Sequence, residues 1–115
     1  MNNVRNHVQL IGHLGQDAEI KKFENGGIIA NVSLATTETY KNQKGEKIDK
    51  TSWHRIVGKG KIAEIMEKYF TKGIEIAVMG RLNYRNYTDK DGNERTITEI
   101  NILDFSFLGK NKKAA

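Results

Sequence analysis

Three aromatic residues stand beside cations: Lys41 follows Tyr40, Arg55 shares the strand parity of Trp53, and Arg85 lies two positions before Tyr87. Flat rings stack on unpaired nucleic-acid bases at about 1–3 kcal/mol each, while interleaved cations follow a phosphate backbone. Every base presents a π-face, so such stacking tolerates any base sequence. The same rings serve equally well as fillers of a core or an interface, and the pattern alone divides these two readings evenly. Tyr69 and Phe70 fall on a helical apolar stripe and read as core. Phe105 and Phe107 share one strand parity, which suits core or subunit packing. Phe23 and Tyr84 fit no pattern.

Catalytic chemistry finds no support in the residue types present. His7, His13 and His54 are scattered, no His-x-x-x-His pair occurs, and cysteine is absent, so neither a metal nor another cofactor is expected. Gly58-Lys59-Gly60-Lys61 lacks the spacing of a phosphate-binding loop. In Asp89-Lys90-Asp91-Gly92 the glycine arrives too early for a calcium loop, leaving a turn. Ser33, Ser52 and Ser106 have no motif partner. The chain reads as a non-enzyme.

Composition bounds the rest. With 115 residues, 37% hydrophobic and 29% charged, there is room for one globular domain and one core. The 19 Lys and Arg outnumber the 14 Asp and Glu, giving +5. That excess suits an anionic partner, because neutralising phosphates releases counterions. No run approaches the roughly 18 apolar residues of a membrane span, and no signal-type segment opens the chain, so a cytoplasmic protein without membrane contact is expected.

The elements that must carry these residues are strands with one helix among them. Val8, Leu10, Gly12 and Leu14 share one parity, with His7, Gln9 and His13 on the other; Gly15-Gln16-Asp17 breaks the strand, and residues 19–23 read as its bent extension. Glu24-Asn25-Gly26-Gly27 signals a tight turn. Residues 28–40 form a second strand, 41–50 a long polar hairpin loop, and 51–57 a third strand. Ile62, Ile65, Met66, Tyr69 and Phe70 then recur at helical spacing, with Gly73 as the stop. Ile74, Ile76, Val78 and Leu82 mark a fourth strand, residues 89–93 a hairpin tip, and residues 96–108 a fifth strand. The fold class expected is all-β: a five-stranded OB-fold barrel with one α-helix between strands 3 and 4. The domain spans 1–109, followed by a flexible basic tail at 110–115.

Several short stretches carry a resemblance. His13-Leu14-Gly15-Gln16-Asp17, Asn25-Gly26-Gly27, Leu34-Ala35-Thr36-Thr37, Thr51-Ser52-Trp53-His54-Arg55, Gly60-Lys61-Ile62-Ala63-Glu64, Lys72-Gly73 and Tyr87-Thr88-Asp89 occur in the order and at the spacing of the bacterial single-stranded DNA-binding proteins. The chain resembles that family over residues 4–108. The resemblance implies an OB-fold subunit that assembles as a homotetramer and wraps single-stranded DNA in replication, repair and recombination. It implies base stacking at Tyr40, Trp53 and Tyr87, two of them tyrosines where the best-known members have tryptophan. It implies phosphate contacts at Arg55, Lys61, Lys72 and Arg85. Lys59 stands where the family usually has phenylalanine, exchanging a stacking platform for a phosphate contact. His7 matches a basic position on the first strand, and His54 matches a subunit-interface position; both are expected at the interface between subunits.

Family members continue into an acidic tip that recruits replication and repair proteins, whereas this chain ends on the basic Lys110-Asn111-Lys112-Lys113-Ala114-Ala115. Recruitment through such a tip is therefore not expected. A competing reading keeps the barrel as a replication-accessory module, dimeric and weak on DNA. A cold-shock type of RNA binder is disfavoured, since its dense surface phenylalanines on early strands are missing.

Overall fold

In the computed structural model, residues 5–108 are described. The first strand, β1 (Val8–Leu14), turns its alternate residues inward until residues 15–18 interrupt it. The chain then leaves its partner and pairs with a different strand as β2 (Glu19–Lys22), against β3 (Ile28–Lys41). The five barrel strands expected are present, with one further strand in the chain. What reads as a bent extension is a strand in its own right, so the described residues hold six strands, and the helix lies between the fourth and fifth. The remaining elements are β4 (Lys47–Lys59), α1 (Lys61–Tyr69), β5 (Glu75–Thr88) and β6 (Glu94–Phe107). Five strands close a barrel in the order β1-β5-β6-β4-β3, with β3 returning to β1 at His13 and Leu14. All pairings are antiparallel except β4 with β6, which meet in parallel at Ile56–Ile100 and Val57–Asn101.

The expected polar loop at residues 41–50 is instead two paired strands. β3 and β4 stay in register from Ile29–Lys59 to Lys41–Lys47. A strand needs apolar alternation only where one face is buried. Beyond the barrel this ribbon is held by its ladder and by cross-strand pairs such as the Thr39 hydroxyl donating to the Asp49 carboxylate at 2.8 Å. Among the described residues the three hairpins close alike: a three-residue loop ends in a left-handed glycine, namely Gly26, Gly45 or Gly92. Asn42 and Asp89 each accept two backbone N–H groups across their loops.

Leu14, Ala30, Val32, Leu34, Ile56, Ile76, Val78, Ile100 and Ile102 fill the barrel, and Ala63, Met66 and Phe70 plug one end. Gly58 lets the helix seat, for a Cβ there would collide with the Met66 sulfur. The helix buries Ala63 and Met66 and leaves Ile65 exposed, so the apolar stripe is rotated from the one expected. It also ends at Tyr69, before Gly73. Phe70 adopts an extended backbone, its carbonyl accepts from the N–H of Ala18, and its ring packs edge-on to Phe105 at 5.1 Å. Burying that ring outweighs another helical turn. Among the described residues no helix is long and apolar enough to cross a membrane. The expected tail at 110–115 lies outside the described residues.

Candidate nucleic-acid interface

Side-chain alternation sorts the candidate residues onto two surfaces. Along β4, Trp53, Arg55, Val57 and Lys59 point away from the barrel interior, because Ile56 and Gly58 point into it. Their cross-strand partners Ala35, Ser33, Asn31 and Ile29 continue this outer face onto β3. The parallel contact of β4 with β6 carries it on to Glu99 and Asn101, and the β5–β6 ladder sets Asn83, Arg85 and Tyr87 opposite Glu99, Ile97 and Arg95. Trp53, Arg55, Arg85 and Tyr87 thus share one continuous sheet face.

Trp53 is 63% exposed, yet it is not loose. Its ring lies over Gly15, where an added Cβ would come within 2.5 Å of the indole, and the Gly15 N–H is tied to the Ser33 carbonyl at 2.9 Å. One side of the ring is braced by backbone and the rest meets solvent. Tyr87 is 43% exposed near the tip of the β5–β6 ribbon. Tyr40, 51% exposed, pairs with Ile48 and by alternation lies on the opposite face of the β3–β4 ribbon from Trp53. The three rings are therefore not a single row: Trp53 and Tyr87 share a face, and Tyr40 lies behind it.

At the centre of that face sits Glu99, only 5% exposed. Arg55 donates from Nε to its Oε2 at 3.0 Å, and Arg85 donates from Nη2 to Oε2 at 3.1 Å and from Nε to Oε1 at 3.4 Å. Burial pushes the Glu99 carboxyl up, but hydrogen bonds and charge from Arg85 and Arg55 outweigh it and hold the group below the usual glutamate value. Three ionised groups with a net charge of about +1 are thereby fixed in place, with each guanidinium still roughly half exposed to solvent. Sequence reasoning found both arginines and missed the carboxylate that positions them. Glu99 stands on the polar parity of the last strand, and nothing local marks it as buried; its partner Arg55 is 44 residues away.

The other candidates take separate positions. Lys59 ends β4 on the same outer face, and Lys61 opens α1; both are exposed. Lys72 is exposed in the turn after the helix, where its backbone N–H donates to Asp17 at 2.9 Å, close to the Gly15 segment beneath Trp53. His54 points to the opposite side of β4 from Trp53, with Nε2 2.9 Å from the Thr36 hydroxyl. His7 is exposed just ahead of β1. Among the described residues no group of three or more His, Asp or Glu could hold a metal ion.

A braced exposed indole, a second ring and two oriented guanidinium groups thus lie on one sheet face, groups of the kind that stack on flat rings and pair with anions. Residues 5–108 match the Single-strand binding protein family. The chain belongs to this family. It is 46% identical over 106 residues to Single-stranded DNA-binding protein 1 of Xylella fastidiosa (strain 9a5c), a match spanning 91% of this chain and 78% of that one. Among solved structures it is similar to the Plasmodium falciparum SSB in complex with ssDNA, with a TM-score of 0.82 and 34% identity, covering 90% of this chain and 95% of the other. It is also similar to a deletion mutant of the single-stranded DNA binding protein from Thermus aquaticus, with a TM-score of 0.78 and 28% identity, covering 90% of this chain and 50% of that one. The family's closed barrel with one helix is the architecture found here.

Proposed function

We propose that this protein binds single-stranded DNA without strong sequence preference and protects it during replication, repair and recombination in the cytoplasm. The observation that carries this reading is the likeness over nearly the whole chain to a family member solved with single-stranded DNA bound. In this reading the protein is a binding module of the OB-fold class and not an enzyme, in keeping with the names its relatives bear.

The mechanism follows from the outer face. Trp53 and Tyr87 stack on splayed bases, and Tyr40 takes a base where the strand passes to the back of the ribbon. Arg55 and Arg85, presented by Glu99, meet phosphates, with Lys59, Lys61 and Lys72 extending the cationic path. A duplex offers no free π-faces, which gives the preference for single strands. Assembly as a homotetramer accords with apolar surface left open on one chain: Ile11 and Leu103 are about half exposed, and β1 pairs with β3 only at its last two residues. In this reading His7 and His54 approach a second copy.

Trp53 is the only tryptophan and reports its own stacking. Titration with poly-dT is expected to quench its fluorescence strongly, a matched duplex weakly, and raised salt is expected to weaken the single-strand complex. No quenching by poly-dT with the fold intact would overturn the stacking mechanism and favour a barrel kept for protein contacts.

A further inference from the structure

Phe23 is a 41% exposed ring outside the core. It sits where β2 turns into β3, its N–H bonded to the Gly27 carbonyl at 2.8 Å, and the Lys21 ammonium lies 5.4 Å from its ring centroid. The ladders align Lys21 with Ile29 and Ile29 with Lys59, so these three residues form one row across β2, β3 and β4. By alternation along β4, that row lies on the same outer face as Trp53 and Arg55. Between the turn and the start of α1 runs an open groove of about 480 Å³, walled by Phe23, Asn25, Lys59, Lys61 and Glu64. Its size falls within the roughly 300–1,000 Å³ of clefts that hold small organic groups. Two lysines, Lys59 and Lys61, line it against the single carboxylate of Glu64, so the groove favours an anion. An exposed flat ring beside clustered ammonium groups suits one occupant: a nucleotide, base on ring and phosphate on lysine.

We propose that this groove is a nucleotide subsite at the far end of the DNA path. A base stacks on Phe23, Lys59 and Lys61 hold the flanking phosphates, and Lys21 lies beside the ring. The strand then runs along β4 from Trp53 to the Phe23 turn, six residues or about 20 Å of extended backbone. The proposal rests on the reading of this protein as a single-strand binder, and it adds Phe23 and Lys21 to the residues that touch the strand.

The test is a poly-dT titration of the full chain and of Phe23→Ala and Phe23→Trp variants, with thermal unfolding as the control for folding. Phe23→Ala is expected to weaken binding about 5- to 150-fold, the equivalent of one lost base–aromatic stack. Phe23→Trp is expected to keep the affinity and to add a second quenched emission to that of Trp53. Lys59→Ala is expected to lower the salt exponent by about one. Unchanged affinity in folded Phe23→Ala, with Trp53 still quenched, would overturn the subsite and leave the single-strand reading standing. A native protein whose Trp53 is not quenched would overturn both. Should Phe23→Ala fail to fold, an unquenched second tryptophan in folded Phe23→Trp would overturn the subsite by itself.

Discussion

Strands β3 and β4 cross without a break from the barrel into a projecting ribbon, and their two halves obey different rules. In the barrel half Ala30, Val32, Leu34 and Ile56 are almost completely buried. There burial dictates both the type and the direction of each side chain. In the ribbon half, residues 36–41 and 47–53, the ladder continues at the same register, but no residue is fully buried. Backbone hydrogen bonds persist with no core to serve. Side chains there are released from packing and available for a ligand, and Trp53 and Tyr40 occupy that released half. The β5–β6 ribbon repeats the arrangement, with Ile76 and Val78 inside and Tyr84 and Tyr87 out.

Substitution can break that contrast at four depths. Phe70→Ala removes the ring that plugs the barrel and packs edge-on with Phe105 and Phe107. A loss of about 3–5 kcal/mol is expected in denaturant unfolding; a loss below 1 kcal/mol would mean that the plug and the barrel are not one core.

Glu99→Gln reaches the boundary between the two regimes. Hydrogen bonds to charged groups contribute about 1.5–3 kcal/mol, and the part-exposed arginines place the loss near the lower end. The carboxyl of the folded protein titrates below its ordinary value, so its stabilisation is complete above the unfolded pKa and disappears as pH falls through the folded one. The native protein should therefore exceed the variant in stability at neutral pH and converge with it in acid. A gap independent of pH would show that the charge of Glu99 is not what matters.

Trp53→Ala acts on the exposed side alone. Affinity for single-stranded DNA should fall by about 1–3 kcal/mol while the melting temperature moves little, since the ring is mostly in solvent. A large drop in melting temperature instead would make the ring's contact with Gly15 a structural one. Tyr40→Ala should cost less than Trp53→Ala, near the low end of about 1 kcal/mol, because the ring is smaller and lies on the ribbon's other face. Equal losses would show that the strand wraps both faces with equal weight.

Much of the barrel half was legible before any coordinates. Alternation of Val8, Leu10, Gly12 and Leu14, and of Ala30, Val32 and Leu34, follows from burial of one face, which leaves a period-two trace in the residue types. The ribbon half left no such trace, and so residues 41–50 read as a loop: polar residues on both faces look alike whether paired or free. The helix stripe was legible in existence and not in rotation, because Phe70 left the helix to join Phe105 and Phe107.

The candidate site divides in the same way. Side-chain chemistry is local, so the sequence alone determined which rings can stack and which cations can meet phosphate, along with the family motifs that carry the resemblance. Proximity is not local. Only the tertiary structure decided that Trp53 and Tyr87 share a face while Tyr40 does not, and that Arg55 and Arg85 converge on one carboxylate. It also placed Phe23 beside Lys59, residues 36 positions apart in the chain. The parallel contact of β4 with β6 and the return of β3 to β1 create these meetings. Both join segments distant in sequence, which leave no mark on the residues between them.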